Sequence, residues 1–312
     1  MTSQTIASAP GKIILSGEHA VVYGYPALVA AVDLYAKVRI EKDKSNLGVY
    51  PLMAKDIVMK TLRNTERFLD TKFTKLKINL GSEIPIGSGM GSSAAVSVCV
   101  AAALMKLARW KVDLEKINEI AYETEKYYHG NPSGVDPAIS TYGGFLWYRK
   151  ETNKFKTFSK IKPKIAIPEV ILINTGKPRE NTKEMVTYVA EKFSRNSRRT
   201  ENIFKNIEKN TRSFLKFFLQ EETVSLIELI RENERYLEEL GVVSDYTIDL
   251  IKEIEKIGGA AKISGAGGIK DNSGILLVYH PDKEKLLNFA KEKKLTVLPA
   301  KFTAKGVRIE KN

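Results

Sequence analysis

The chain has 312 residues, 43% of them hydrophobic, and a formal net charge of +13. That length suits one large or two ordinary domains, and the apolar share, without low-complexity tracts, excludes a disordered or fibrous protein. The single cysteine, Cys99, excludes an intramolecular disulfide and fits a cytoplasmic location, while the longest near-continuous apolar run, residues 94–105, is too short to span a bilayer.

In chain order, strand-like runs fall at residues 5–9 and 13–15, with a turn at Pro10-Gly11 between them, then at 27–31, 36–40 and 76–80. Helices are expected at 54–69, 92–108 and 114–128; in the last, Leu114, Ile117, Ala121 and Thr124 recur at helical spacing. A strand near 144–148 precedes a Lys-rich, apolar-poor passage, 149–163, which is the best candidate for a domain junction. The second half offers a strand at 170–174 and helices over 180–218, 222–240 and 245–257. It closes with strands near 260–264 and 274–280, a helix from Asp282, and strands at 295–299 and 305–309. Residues 1–5 carry neither a basic region nor an apolar core, so no signal peptide is expected.

The basic residues gather in groups such as Arg195, Arg198 and Arg199, or Lys291, Lys293 and Lys294, on charge-alternating helical stretches. Aromatics are not interleaved with them, so they read as solvated faces; neither a nucleic-acid nor a membrane partner is expected. The positive balance still favours an anionic nucleotide and an acid substrate. Abundant Lys, Glu and Ile beside only two glutamines, Gln4 and Gln220, suit a thermophile.

Three stretches carry chemistry. Pro85-Ile86-Gly87-Ser88-Gly89-Met90-Gly91-Ser92-Ser93 runs into the apolar segment 94–105. A glycine-rich turn opening onto a helix leaves unpaired backbone N–H groups at the positive end of the helix dipole, where phosphate binds. No Gly-Lys-Ser/Thr ends the loop, which excludes the ordinary Walker A loop, and a plain helix-entry loop remains the alternative. The second stretch, Ala9-Pro10-Gly11-Lys12-Ile13-Ile14-Leu15-Ser16-Gly17-Glu18-His19-Ala20-Val21-Val22-Tyr23-Gly24, gathers Lys12, Glu18 and His19 around one apolar strand. The third, His129-Gly130-Asn131-Pro132-Ser133-Gly134-Val135-Asp136, is a tight turn in which Ser133 can cap a short helix with Asp136 in its first turn. Each polar residue has a structural alternative: a surface lysine, a satisfied histidine, or a carboxylate that only complements a helix dipole.

Together these stretches, with Lys262-Ile263-Ser264-Gly265-Ala266-Gly267-Gly268 later in the chain, resemble the mevalonate kinase family of the GHMP superfamily, of an archaeal or thermophilic type. The motifs stand in the family's order over nearly the whole chain. Gly17-Glu18-His19-Ala20-Val21-Val22-Tyr23-Gly24 is the most specific of them. The resemblance implies an α+β fold: an N-terminal S5 domain 2-like domain (residues 1–155) and a C-terminal ferredoxin-like domain (156–312), with the active site in the cleft between them. It implies ATP as co-substrate, Mg²⁺, mevalonate as acceptor, and leaves a homodimer open.

By the same resemblance, Pro85, Gly87, Ser88, Gly89, Met90, Gly91, Ser92 and Ser93 hold the nucleotide, and Ser93 and Glu125 the metal, with Glu125 eleven residues before Asp136. Asp136 is the catalytic aspartate and Lys12 its companion; both, with Glu18, His19 and Ser264, face the substrate. Two departures stand out. Pro137 follows the aspartate where a small polar residue is usual, and the late motif breaks after Gly268 into Ile269-Lys270-Asp271-Asn272. Another kinase of the superfamily, for phosphomevalonate, homoserine or a sugar, and a non-catalytic relative are the competing readings. The intact set Lys12, Ser93, Glu125 and Asp136 speaks against the last.

Overall fold

The first strand, β1 (Gln4–Ser16), does not turn at Pro10-Gly11 but runs through it. Its neighbour β2 (Pro26–Lys42) pairs with it antiparallel along the whole length, and the two glycine-proline residues mark a register shift between Pro10 and Gly11. A bulge absorbs the irregularity that the sequence suggests as a turn. The computed structural model describes residues 4–43, 47–302 and 305–311.

After β2 come β3 (Gly48–Tyr50), α1 (Lys55–Leu69), β4 (Leu76–Ser82), α2 (Ser92–Leu107), α3 (Leu114–His129) and α4 (Val135–Tyr142). Then follow β5 (Phe145–Lys150), β6 (Lys156–Ile161), β7 (Ile171–Asn174), α5 (Thr182–Arg195), α6 (Ser197–Leu219), α7 (Leu226–Leu240) and α8 (Asp245–Lys256). The chain closes with β8 (Ala260–Ser264), β9 (Ile275–Tyr279), α9 (Lys283–Glu292), β10 (Thr296–Leu298) and β11 (Arg308–Ile309). The helix expected over 180–218 is two helices, because the Asn196 side chain accepts from the Arg199 amide and restarts the chain as α6.

Among the described residues the first sheet runs β11-β1-β2-β4-β3, with β5 on the first half of β2 and β6 on β5. The second sheet is antiparallel in the order β10-β7-β9-β8. Helices connect its first strand to its second and its third to its fourth, the ferredoxin-like arrangement. The expected junction at 155/156 separates two paired strands of one sheet, so sheet membership changes after Ile161 instead. The chain also returns at its end, where β11 pairs with β1. The cause is long-range pairing, which composition does not reveal.

Helix α2 lies between the first sheet and helices α1 and α3, and every residue of it except Ser92, Ser93 and Lys106 is buried. A helix apolar on all sides belongs in a core, and this one points its N-terminus at the cleft. Cys99 is fully buried within it, which pushes its thiol well above the usual range and leaves it an inert filler. Among the described residues no helix is long and apolar enough to cross a membrane.

The two sheets are joined through the end of β1. Ser16 Oγ lies 2.7 Å from Thr211 Oγ1 and 3.1 Å from Asn210 Oδ1 on α6, and Asn233 Nδ2 of α7 donates to it at 2.8 Å. Tyr23 stacks on Phe204 with ring centroids 4.7 Å apart. These contacts fix the cleft walls relative to each other.

Candidate active site

A cavity of about 490 Å³ opens between the sheets, walled by the 87–93 loop, the end of β1, the 132–136 turn and the segment after β7. Loop glycines Gly87, Gly89 and Gly91 have φ of 73°, 89° and 71°. Gly89 shows why glycine is required: a Cβ there would land on the Ser264 carbonyl oxygen, and the left-handed φ strains any other residue. The loop rests on the second sheet, where the Ile275 amide donates to Ser88 O at 3.0 Å. Gly91 caps α2 without any side-chain bond to its first amides, so these remain available to an anion.

Helix α4 starts the same way, from Gly134 with φ 86° and no side-chain cap. Ser133 is not the cap residue expected; its Oγ instead accepts from the Val135 amide at 3.3 Å. Asp136 stands in the first turn, as expected, and its Oδ1 lies 3.4 Å from Lys12 Nζ. Lys12 is held by its strand, whose amide donates to Met90 O at 3.0 Å. A Cβ on Gly91 would stand 3.0 Å from Lys12 Cγ and 3.3 Å from Asp136 Oδ2, so the pair adjoins the mouth of α2.

His19 lines the cavity too, with a positive φ of 58°. Its Nε2 lies 3.0 Å from Ala266 O; a carbonyl only accepts, so Nε2 carries the proton. Burial pulls the imidazole down to about 4, with the Ala266 contact pushing weakly upward. The ring is therefore neutral near pH 7, and Nδ1 is an acceptor.

Three expected site residues are elsewhere. Glu18 is buried outside the cavity wall and forms an ion pair with Lys262 Nζ, which also donates to Ile263 O at 2.6 Å and Ile14 O at 3.3 Å. Burial raises the Glu18 carboxyl, and the Lys262 charge draws it back in part. Ser264 is also sealed, its Oγ accepting from the Ile14 amide at 2.9 Å. Pro85 lies behind the loop, its carbonyl accepting from Ser88 Oγ at 2.9 Å. Side-chain direction on β8 decides the outcome for Ser264 and pairing with Lys262 that for Glu18, and the motif spacing encodes neither.

Other residues line the cavity without having been singled out. The Lys177 stem crosses the loop, with Cε 3.0 Å from where a Gly87 Cβ would stand. Arg179 lies beside it and pairs with Asp271 at 2.5 Å. Asn181 and Glu184 form a reciprocal capping box that starts α5 at the cavity edge, a signal readable as Asn-x-x-Glu. The broken late motif is held by that same segment: the Ile269 and Lys270 amides donate to Glu180 Oε2 at 3.2 and 3.4 Å.

Ser93 and Glu125 both reach the cavity wall. Among the described residues no group of three or more His, Cys, Asp or Glu stands close enough to hold a metal alone. Mg²⁺ commonly takes one or two protein oxygens and leaves the rest to phosphates and water, so this sparse donor pair fits it.

The family profile described as GHMP kinases N terminal domain matches residues 56–144. The mevalonate kinase of Archaeoglobus fulgidus is 38% identical over 273 residues, covering 84% of this chain and 89% of that one. The mouse (Mus musculus) mevalonate kinase is 29% identical over 342 residues, covering 86% and 85%. The crystal structure of Methanococcus jannaschii mevalonate kinase superposes with a TM-score of 0.80 at 25% identity, over 97% of this chain and 99% of that one. With the glycine loop, the Lys12–Asp136 pair and both sheets in place, the chain belongs to the mevalonate kinase family of the GHMP kinases.

Proposed function

We propose that the chain transfers the γ-phosphoryl group of ATP to the C5 hydroxyl of mevalonate, giving 5-phosphomevalonate. The observation that carries this reading is the Lys12–Asp136 pair, 3.4 Å apart, standing at the mouth of an uncapped helix in a mevalonate kinase family chain. Such a transfer asks for positioning and charge neutralisation more than covalent chemistry.

The open amides of the 87–93 loop and of α2 receive the phosphates, with Lys177 adding a cation over the loop. The Asp136 carboxylate accepts the hydroxyl proton as the C5 oxygen bonds to phosphorus and the bond to ADP breaks. Lys12 holds that oxygen and counters its developing negative charge. His19, neutral and with Nδ1 free to accept, orients a substrate hydroxyl. Bound Mg²⁺, held by Ser93 Oγ and the Glu125 carboxylate, would supply further neutralisation of the phosphate oxygens. Pro137 does not disturb α4, since proline suits a first turn.

The surface charge supports a small-molecule enzyme rather than a nucleic-acid binder. Arg195 pairs with Glu191, Arg199 with Glu239 and Lys293 with Glu253. The reading places the reaction in the cytoplasm and leaves a homodimer to be measured by light scattering. A coupled ADP-release assay across mevalonate, phosphomevalonate, homoserine and galactose tests the reaction. Turnover with mevalonate and with none of the others is the expected result; turnover of another acceptor while mevalonate is inert overturns it. Phosphomevalonate is the informative control, because Lys177 and Arg179 give the cavity extra cations.

A further inference from the structure

The 131–133 turn precedes α4, and most of the hydrogen bonds it accepts come from outside its own sequence. Its acceptors are taken by one face of β5. Tyr148 and Lys150 are two residues apart, so their side chains leave the strand on the same side. Tyr148 Oη donates to Ser133 O at 2.8 Å. Lys150 Nζ donates to Asn131 Oδ1 at 2.6 Å and to Pro132 O at 3.1 Å. Two side chains thus hold three successive residues, and the next residue is Gly134, the cap of α4.

Both are deep in the protein, 1% and 3% exposed. An ammonium is costly to bury, and an apolar side chain of similar length would fill the same space without that cost. Burial draws the Lys150 ammonium down from the usual lysine range, and Glu125 draws it back up. The Tyr148 hydroxyl is pushed well above its usual range by burial and by the charges of Glu125 and Asp136, so it remains a donor. The packing is tight as well: a Cβ on Gly134 would stand 2.7 Å from Tyr148 Oη. Pro132 and Ser133 form cavity wall, and Asp136 follows within one helical turn.

We propose that Tyr148 and Lys150 are positioning residues for phosphoryl transfer: by clamping residues 131–133 to β5 they fix where α4 begins and so where the Asp136 carboxylate meets the substrate hydroxyl. Neither touches the reacting atoms. The proposal rests on the kinase reading of the cavity, and it extends that reading to two residues on a strand outside the motifs.

The test uses the full chain with Tyr148→Phe and Lys150→Met, singly and together. Misplacing a reacting group by about 1 Å can cost about 10²-fold in rate. Lys150→Met is therefore expected to lower kcat by about that factor, and Tyr148→Phe, which keeps the ring packing, by several-fold. ATP affinity by calorimetry without Mg²⁺ should stay near wild type, because the 87–93 loop is untouched; Tyr148→Phe, which removes no charge beside Glu125, separates the placing of Asp136 from any change at Glu125. The losses should be less than multiplicative in the double variant, since both residues hold one turn. Wild-type kcat in Tyr148→Phe and in folded Lys150→Met, with only the melting temperature lowered, overturns the proposal. If Lys150→Met does not fold, Tyr148→Phe decides alone. The kinase reading is checked separately by the wild-type protein, and if another acceptor in the panel is turned over, the variants are measured with that one.

Discussion

Two lysine–carboxylate pairs meet near β1, and they have opposite surroundings. Lys12 and Asp136 are 3.4 Å apart, with side chains 3% and 22% exposed, and the carboxylate opens onto the cavity. Lys262 and Glu18 are in closer contact with both side chains wholly buried, and neither lines the cavity. A carboxylate with solvent access can exchange a proton with substrate; a sealed one can only hold structure. Lys12 and Glu18 are six residues apart in one motif, yet the first lines the cavity and the second is sealed at the joint between the sheets.

The strongest way to break this contrast is Asp136→Asn, which keeps shape and removes the carboxylate proposed as the base. Base catalysis is worth about 10²–10⁴ in rate, so turnover should fall by that much. The helix-dipole contribution lost with the charge is only about 0.3–1 kcal/mol of stability. A lowered melting temperature with turnover intact would show that Asp136 merely complements α4.

Lys262→Met probes the sealed pair with the reverse expectation. Leaving Glu18 buried and unpaired should destabilise the fold by about 3–5 kcal/mol, while turnover per folded molecule stays near wild type. Combining it with Glu18→Gln should recover much of the stability. If the double variant is as unstable as the single one, unpaired charge is not the cause.

The pH dependence of stability sharpens the comparison, because His19 and Glu234 flank the same joint with opposite signs. His19 takes a proton near 6.5 when unfolded but only at about 4 when folded. Its contribution is therefore full above about pH 6.5 and is lost as pH falls toward 4, amounting to about 3 kcal/mol. Glu234 is buried on α7, where its Oε2 accepts from the Ile263 amide at 2.9 Å. Burial raises its carboxyl from 4.5 to about 8. The folded state then keeps a proton that the unfolded chain releases, so stability falls as pH rises from 4.5 toward 8. Thermal melts across pH should show this alkaline decline shrink in Glu234→Gln; an unchanged decline assigns it to other groups.

The smallest expected effect is that of Ser264→Ala. It removes the acceptor of one buried amide bond, worth about 1 kcal/mol, and should leave the mevalonate KM unchanged. A raised KM would return Ser264 to the substrate wall.

Local signals were legible where a segment supplies its own reason. The glycine loop, the apolar run of α2, the Asp136 first turn and the strand at Ala260–Ser264 need only their own residues to be read. The break at Asn196 was not read, because a long amphipathic pattern runs across the asparagine that restarts the helix. The passage 149–163 does hold the end of the first sheet, at Ile161, but the 155/156 cut falls between β5 and β6, because β6 is exposed on most of its length, a pattern that an edge strand shares with a linker.

By itself, the sequence determined the chemistry available: a glycine-rich loop opening onto a helix, a lysine, a histidine and carboxylates at family spacing, and alternating elements of mixed type. Tertiary structure alone decided which of those groups face the cavity. It carried β1 through Pro10-Gly11 on a bulge, brought Arg308–Ile309 back to the first strand, buried Glu18 against Lys262, and turned Ser264 toward Ile14. The physical reason is that burial, register and charge pairing belong to two segments at once. A residue's role is fixed only when the second segment arrives, and here it arrives from more than two hundred residues away.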